Sequence, residues 1–225
     1  MPLARGGAEN ARTEDHIWTT RSFRVQDVPV RHRVLLATLV ALVATMVPRP
    51  ALAVSVSIVD FGFDPSTVGI GQGDSVIWTN TGSVTHTSTQ DGPLAFWDTG
   101  RIPPGSFGEV DQGVLVAAGT YPYHCTIHPS MHGVVKVKLK VDRTQGTTST
   151  VFTFTLSSSP QSGYVYDVQM KTGSGSWHSY ASGVMTTTFA FQAQAAGTYR
   201  FRSRLHRSSD GATSGWSPAR KIVVS

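Results

Sequence analysis

The chain has a single cysteine, Cys125, among 225 residues. An intrachain disulfide is therefore impossible, and so is a zinc site that needs two or more thiolates. Charged side chains make up only 15% of the residues, and long Glu/Lys/Ala stretches are missing, which argues against coiled coils and long solvent-exposed helices. No His-x-His pair occurs anywhere. No apolar run reaches the length of about 20 residues that a membrane-spanning helix needs. What the chain has in quantity is glycine (22), proline (12) and runs of serine and threonine between short β-branched and aromatic segments. That composition predicts an all-β protein of many short strands joined by turns.

The formal charge of +5 conceals an uneven distribution. Residues 1–53 carry seven arginines against four acids, residues 54–141 four cations against seven acids, and residues 142–225 eight cations against three acids. The high isoelectric point is thus no evidence of nucleic-acid binding, and no nucleic-acid-binding motif accompanies it.

Residues 34–47 (VLLATLVALVATMV) form the longest apolar run, with Arg31 and Arg33 before it and Ala51-Leu52-Ala53 after it. A positive segment, a short apolar segment and a small-x-small site are the order of a secretory signal peptide. Residues 1–53 are therefore expected to be a leader cleaved near 53, and the mature chain is expected outside the cytoplasm: periplasmic, at the cell surface or extracellular. An exported protein with one unpaired cysteine is unusual, because a free thiol outside the cytoplasm oxidises or cross-links unless it is buried or bound to a metal.

From residue 54 the pattern is that of strands: Val54-Val56-Ile58 alternating with serines, Ser75–Asn80 after the turn Gly71–Asp74, Tyr121–Cys125 after Gly119, and Val134–Val141 after Gly133. Within it lies Cys125-Thr126-Ile127-His128-Pro129-Ser130-Met131-His132-Gly133, where a thiol, an imidazole and a thioether fall three residues apart on one loop. Such a loop can bend three donors round one point. Soft sulfur with imidazole suits copper, and two histidines, a cysteine and a weak axial methionine are the donor set of blue-copper sites. His86, between two strand-like segments, is the natural second imidazole.

The stretch Tyr121–Val135 resembles the small plastocyanin-like copper carriers, the cupredoxins, and among them the amicyanins, which share the short ligand loop. Val84-Thr85-His86 resembles the first-ligand loop of that family. Trp97–Gly100 followed by Pro104–Phe107 resembles its connection to the cysteine strand. The resemblance covers about residues 55–141. It implies a Greek-key β-sandwich with one type 1 copper at one end, held by His86, Cys125, His128 and Met131, and with His128 as the exposed electron port. Where many relatives carry asparagine directly after the first histidine, this chain has Thr87, whose hydroxyl can still bond the cysteine loop with a different reach.

His124 precedes Cys125, and strand alternation turns it away from the side Cys125 faces. In copper nitrite reductases and multicopper oxidases a histidine at this place ligates a second copper. A copper enzyme using His124 is therefore a further reading, less favoured because no second cupredoxin segment is present. Residues 142–150 read as a polar linker. Residues 151–225 resume the strand pattern, and Gly197–Leu205 alternates strictly. Tyr199, Phe201, Ser203 and Leu205 are expected on one face, with Arg200, Arg202, Arg204 and His206 on the other. The Gly-Thr-Tyr-x-Phe-Arg strand and the late Trp216-Ser217-Pro218 resemble a fibronectin type III module, an immunoglobulin-like sandwich.

The expected protein is an extracytoplasmic one-electron carrier rather than a catalyst. It would work with a redox partner protein and make cell-surface contact through its C-terminal module. A copper-binding protein for sequestration, delivery or sensing, with a copper donor or acceptor as partner, fits the same ligands.

Overall fold

The computed structural model describes residues 52–225, and almost all of the expected leader, with its apolar run at 34–47, lies outside the described residues. The described chain is all β, as expected. No helix among the described residues is long and apolar enough to cross a membrane.

Eight strands build the first part: β1 (Ala53–Val59), β2 (Gly62–Asp64), β3 (Thr67–Ile70), β4 (Ser75–Asn80), β5 (Thr89–Gln90), β6 (Phe107–Val110), β7 (Gly119–His124) and β8 (His132–Val137). They form two four-stranded sheets, ordered β2-β1-β4-β6 and β3-β8-β7-β5. β1 runs parallel to β4 and β3 parallel to β8, so neighbours in space are often distant in sequence, and most connections cross from one sheet to the other. The alternation of the sequence explains the layering. Val56 and Ile58 of β1 are buried while Ser55 and Val59 face outward. Their apolar sides meet Val68, Ile70, Tyr121, Tyr123, Val135 and Val137 from the other sheet around Trp78. Trp78 is fully buried and stacks on Trp97, with Tyr123 edge-on to it.

The remaining strands are β9 (Lys140–Val141), β10 (Gln145–Gly146), β11 (Val151–Thr155), β12 (Tyr164–Thr172), β13 (His178–Val184), β14 (Thr188–Gln192), β15 (Gly197–Arg207) and β16 (Arg220–Val224). A three-stranded sheet, β14-β11-β9, and a five-stranded sheet, β10-β16-β15-β12-β13, enclose a second core centred on Phe152, Phe154, Phe201 and Leu205. In β15, Tyr199, Phe201, Ser203 and Leu205 are buried, and the arginines between them lie on the other face. There Arg202 sits between Trp177 and Trp216, at 4.3 and 5.1 Å from the ring centres, and Arg204 lies 4.7 Å from Trp216. Within the stretch read as a linker, β10 pairs in parallel with β16.

The two cores are bonded to each other. The side chain of Gln72 donates to the carbonyls of Lys138 and Thr155. Thr120 and Gly215 exchange backbone bonds, and the Thr120 hydroxyl donates to the Trp216 carbonyl. Gly119 carries no side chain where a Cβ would lie 2.6 Å from the Ser214 hydroxyl, so glycine is what lets the two segments approach here. These bonds hold one end of β7; the other end leads into Cys125.

Candidate metal centre

Three donor atoms meet where two loops converge. Cys125 follows β7 directly and is fully buried, with no disulfide partner. His128 lies three residues on, half-buried, in the loop between β7 and β8. His86 comes from the β4–β5 connection and is fully buried. The Cys125 Sγ is 3.9 Å from the His86 Nδ1 and 3.7 Å from the His128 Nδ1, and the two Nδ1 atoms are 3.1 Å apart.

Each donor is held by its own backbone. His86 exchanges two main-chain bonds with Ile102. The buried side chain of Asn80 donates to the carbonyls of Val84 and Ile102 and accepts from the Gly82 N–H, which fixes the turn that carries His86. The Cys125 N–H donates to the Met131 carbonyl, and the Met131 N–H donates to the His128 carbonyl, so the ligand loop is folded back on itself. Met131 is buried at the end of that loop. The β7–β8 pairing closes the loop where His124 opposes His132. At Gly133 an added Cβ would lie 2.2 Å from the ring of Tyr123, so only glycine permits this close crossing.

Thr87 joins the two loops. Its N–H donates to the Cys125 Sγ at 3.3 Å, and its hydroxyl oxygen accepts from the Thr126 N–H at 2.8 Å. The hydroxyl thus reaches across to the residue after the cysteine. Burial holds His86 below the usual imidazole range. The His128 ring pushes in the same direction, and the nearby Asp60 carboxylate opposes both. A neutral imidazole keeps its lone pair free for a metal.

The donors fit a metal ion. A triangle with sides of 3.1, 3.7 and 3.9 Å has a centre about 2.1 Å from each corner. That matches first-row metal bonds of about 2.0–2.1 Å to imidazole and about 2.3 Å to thiolate. His86, Cys125 and His128 form a group of mutually close metal-binding side chains among the described residues.

His124 is not among these three donors; it pairs with Asp91 through its Nδ1, with the His132 ring 6.3 Å off. Three contributors to the site escape a reading of the sequence. Asn80 is recognisable only as an amide at a strand end. Asp60 and Phe61 form the turn between β1 and β2: the Asp60 carboxylate lies 4.0 Å from the His86 Nε2, and the Phe61 ring stands edge-on to His128 at 5.1 Å. An acid and an exposed aromatic in a turn carry no signal of their own.

Among solved structures, the chain is similar to a purple cupredoxin from Nitrosopumilus maritimus, with 23% identity over 38% of this chain and 99% of that one, at a TM-score of 0.35. It is similar to amicyanin from Paracoccus versutus, with 28% identity over 40% of this chain and 86% of that one, at a TM-score of 0.34. It is also similar to the copper-containing nitrite reductase of Thermus scotoductus, with 26% identity over 38% of this chain and 22% of that one, at a TM-score of 0.34. No curated protein matches the chain. Residues 50–139, which hold His86, Cys125, His128 and Met131, match the family of copper binding proteins that includes plastocyanin and azurin.

Proposed function

We propose that His86, Cys125, His128 and Met131 hold one type 1 copper, and that the protein is an extracytoplasmic one-electron carrier. The observation that carries this reading is the meeting of two imidazole Nδ1 atoms and one thiol sulfur at mutual distances of 3.1–3.9 Å where two loops converge. When bound, copper supplies the one-electron couple. The imidazoles of His86 and His128, the Cys125 thiolate and the Met131 thioether would hold it, a soft donor set that suits such a couple. The Thr87 N–H bonds the sulfur and withdraws charge from it, which is one way a protein sets a reduction potential. His128, half-buried beside the exposed Pro129, is the port through which electrons leave, and His86 is the deep ligand.

The domain division that goes with this reading is a leader over 1–53, a cupredoxin domain over 54–141, a short connection over 142–150 and a fibronectin type III-like module over 151–225. The module's cationic face, with its stacked arginines and tryptophans, is where cell-surface contact would be made.

Copper sequestration, delivery or sensing uses the same ligands. Visible and EPR spectra of the copper-loaded chain, followed by voltammetry, separate the readings. A thiolate-to-copper charge-transfer band with a reversible couple and fast self-exchange supports the carrier. Loss of copper to a metal-free acceptor protein without turnover overturns it in favour of delivery. Nitrite reduction or oxidase activity that disappears in His124→Ala, with a fall from two coppers to one, overturns it in favour of an enzyme.

A further inference from the structure

Phe61 stands where a two-residue turn calls for a positive φ, a position that glycine or asparagine fills more readily than a bulky side chain. Asp60 and Phe61 are the two-residue turn between β1 and β2, closed by the pair Val59 and Gly62. Phe61 has φ of 67°, in the left-handed region that glycine and asparagine occupy readily and a bulky side chain avoids. Glycine stands at the very next position, Gly62, where φ is not positive. The side chain gains little by burial in return, since Phe61 is 63% exposed. What it does touch is the metal centre: its ring stands edge-on to His128 at 5.1 Å and to His86 at 6.4 Å, inside the range of favourable aromatic pairs.

The turn is also pinned from behind. The Asp60 carboxylate accepts from the Ser83 N–H at 2.7 Å and from the Ser83 hydroxyl at 2.8 Å. Gly82 leaves the space for it, because a Cβ there would lie 2.2 Å from an Asp60 carboxylate oxygen. A strained residue persists when its surroundings over-determine it, and such residues gather at functional sites. Strain, exposure and contact with both imidazoles meet on one side chain.

We propose that Phe61 is a positioning residue for the metal centre. Held by the Asp60–Ser83 clasp, it fixes the His128 ring from the solvent side and closes that side to water and small anions. This rests on the reading of His86, Cys125 and His128 as metal ligands. The experiment compares wild type, Phe61→Gly and Phe61→Leu as full copper(II)-loaded chains. Azide titration is followed by visible and EPR spectra, and metal loss to EDTA is followed in time. Phe61→Gly should lose copper, and should bind azide, at least about tenfold more readily than wild type. Phe61→Leu, which keeps an apolar cover, should restore most of the protection. The metal-free Phe61→Gly protein should melt at or above wild type, because glycine takes a positive φ without strain. Wild-type copper retention and azide response in Phe61→Gly would overturn the proposal. So would a lower melting temperature of its metal-free form, which would make Phe61 a packing residue. The EDTA chase reads metal retention whatever colour the bound copper gives, so a wild-type protein without a thiolate charge-transfer band would refute the type 1 assignment and leave this comparison decisive.

Discussion

Replacing Thr87 by valine removes one oxygen atom and almost nothing else. The backbone N–H that bonds the Cys125 sulfur stays, while the partner of the Thr126 N–H and of the Thr126 and Thr89 hydroxyls disappears. Thr87 is buried, but Thr126 lies at the surface, so water can reach its freed amide. The cost to the fold should therefore fall near the low end of the range for an unmade hydrogen bond, about 1 kcal/mol. For a unit of this size that is a fall in melting temperature of about 2–4 °C. The effect on the metal should be larger. The same bond ties the loop of His86 to the loop of Cys125, and loss of such a partner lowers metal affinity about 10–100-fold. The assay is copper competition against a chelator, with thermal melts of the metal-free protein alongside. Thr87→Ser should restore both values, because it keeps the hydroxyl. Wild-type affinity in Thr87→Val would refute the claim that this hydroxyl joins the loops, and so would a loss that serine fails to rescue.

Cys125→Ser should abolish any thiolate-to-copper charge-transfer band while the far-ultraviolet signature of the strands persists; a variant that stayed blue would remove Cys125 from the ligand set. Gly133→Ala should cost about 1–3 kcal/mol or more in a denaturant melt, since the new methyl would overlap the buried Tyr123 ring, and it should disturb the metal loop that ends there. Asp167 lies in the second core's sheet. Burial pushes its carboxyl up, but bonds from Ser182, Arg204 and the Gly183 N–H outweigh this and hold it below the usual carboxylate range. A depressed carboxylate stabilises the fold above its unfolded value of 3.8 and loses that contribution as pH falls through its folded value. Asp167→Asn should thus destabilise by about 1–3 kcal/mol at neutral pH, and urea melts from pH 7 down to pH 2 should show the gap from wild type closing only below about pH 4.

Parts of this architecture are legible because their signals are local. Cys125, His128 and Met131 fall on one loop at three-residue spacing, and a chain that short cannot carry them far apart. The strict alternation of Gly197–Leu205 appears directly as buried and outward-facing residues of β15. The rest depends on pairings across long stretches of sequence. That Thr120 bonds Gly215 and Trp216, or that Gln72 reaches Thr155, is set by how two sandwiches meet, and alternation says which face of a strand is apolar without naming what covers it. Asn80 is similar: the sequence shows an amide ending a strand, and only the fold shows it satisfying three backbone groups around the loop of His86. Phe61 is the reverse case, since an exposed phenylalanine with positive φ breaks the local rules, and its contacts supply the reason.

A centre that exchanges single electrons quickly must change little between its two states, so the source of its rigidity matters. The three donors are not held equally. His86 is fixed by two main-chain bonds to Ile102 and by Asn80 beneath its turn. Cys125 is fixed by its N–H on Met131, by the Thr87 N–H on its sulfur and by the end of β7, whose other end is bonded to Gly215. His128 has the bond from the Met131 N–H to its carbonyl and the edge of Phe61, and its neighbours Pro129 and Ser130 are exposed. Any rearrangement that a change of copper oxidation state demands would therefore concentrate at His128. It is also the least buried of the three donors. On the carrier reading proposed above, the most yielding ligand would stand at the exit for electrons, with the Phe61 ring edge-on to it at 5.1 Å.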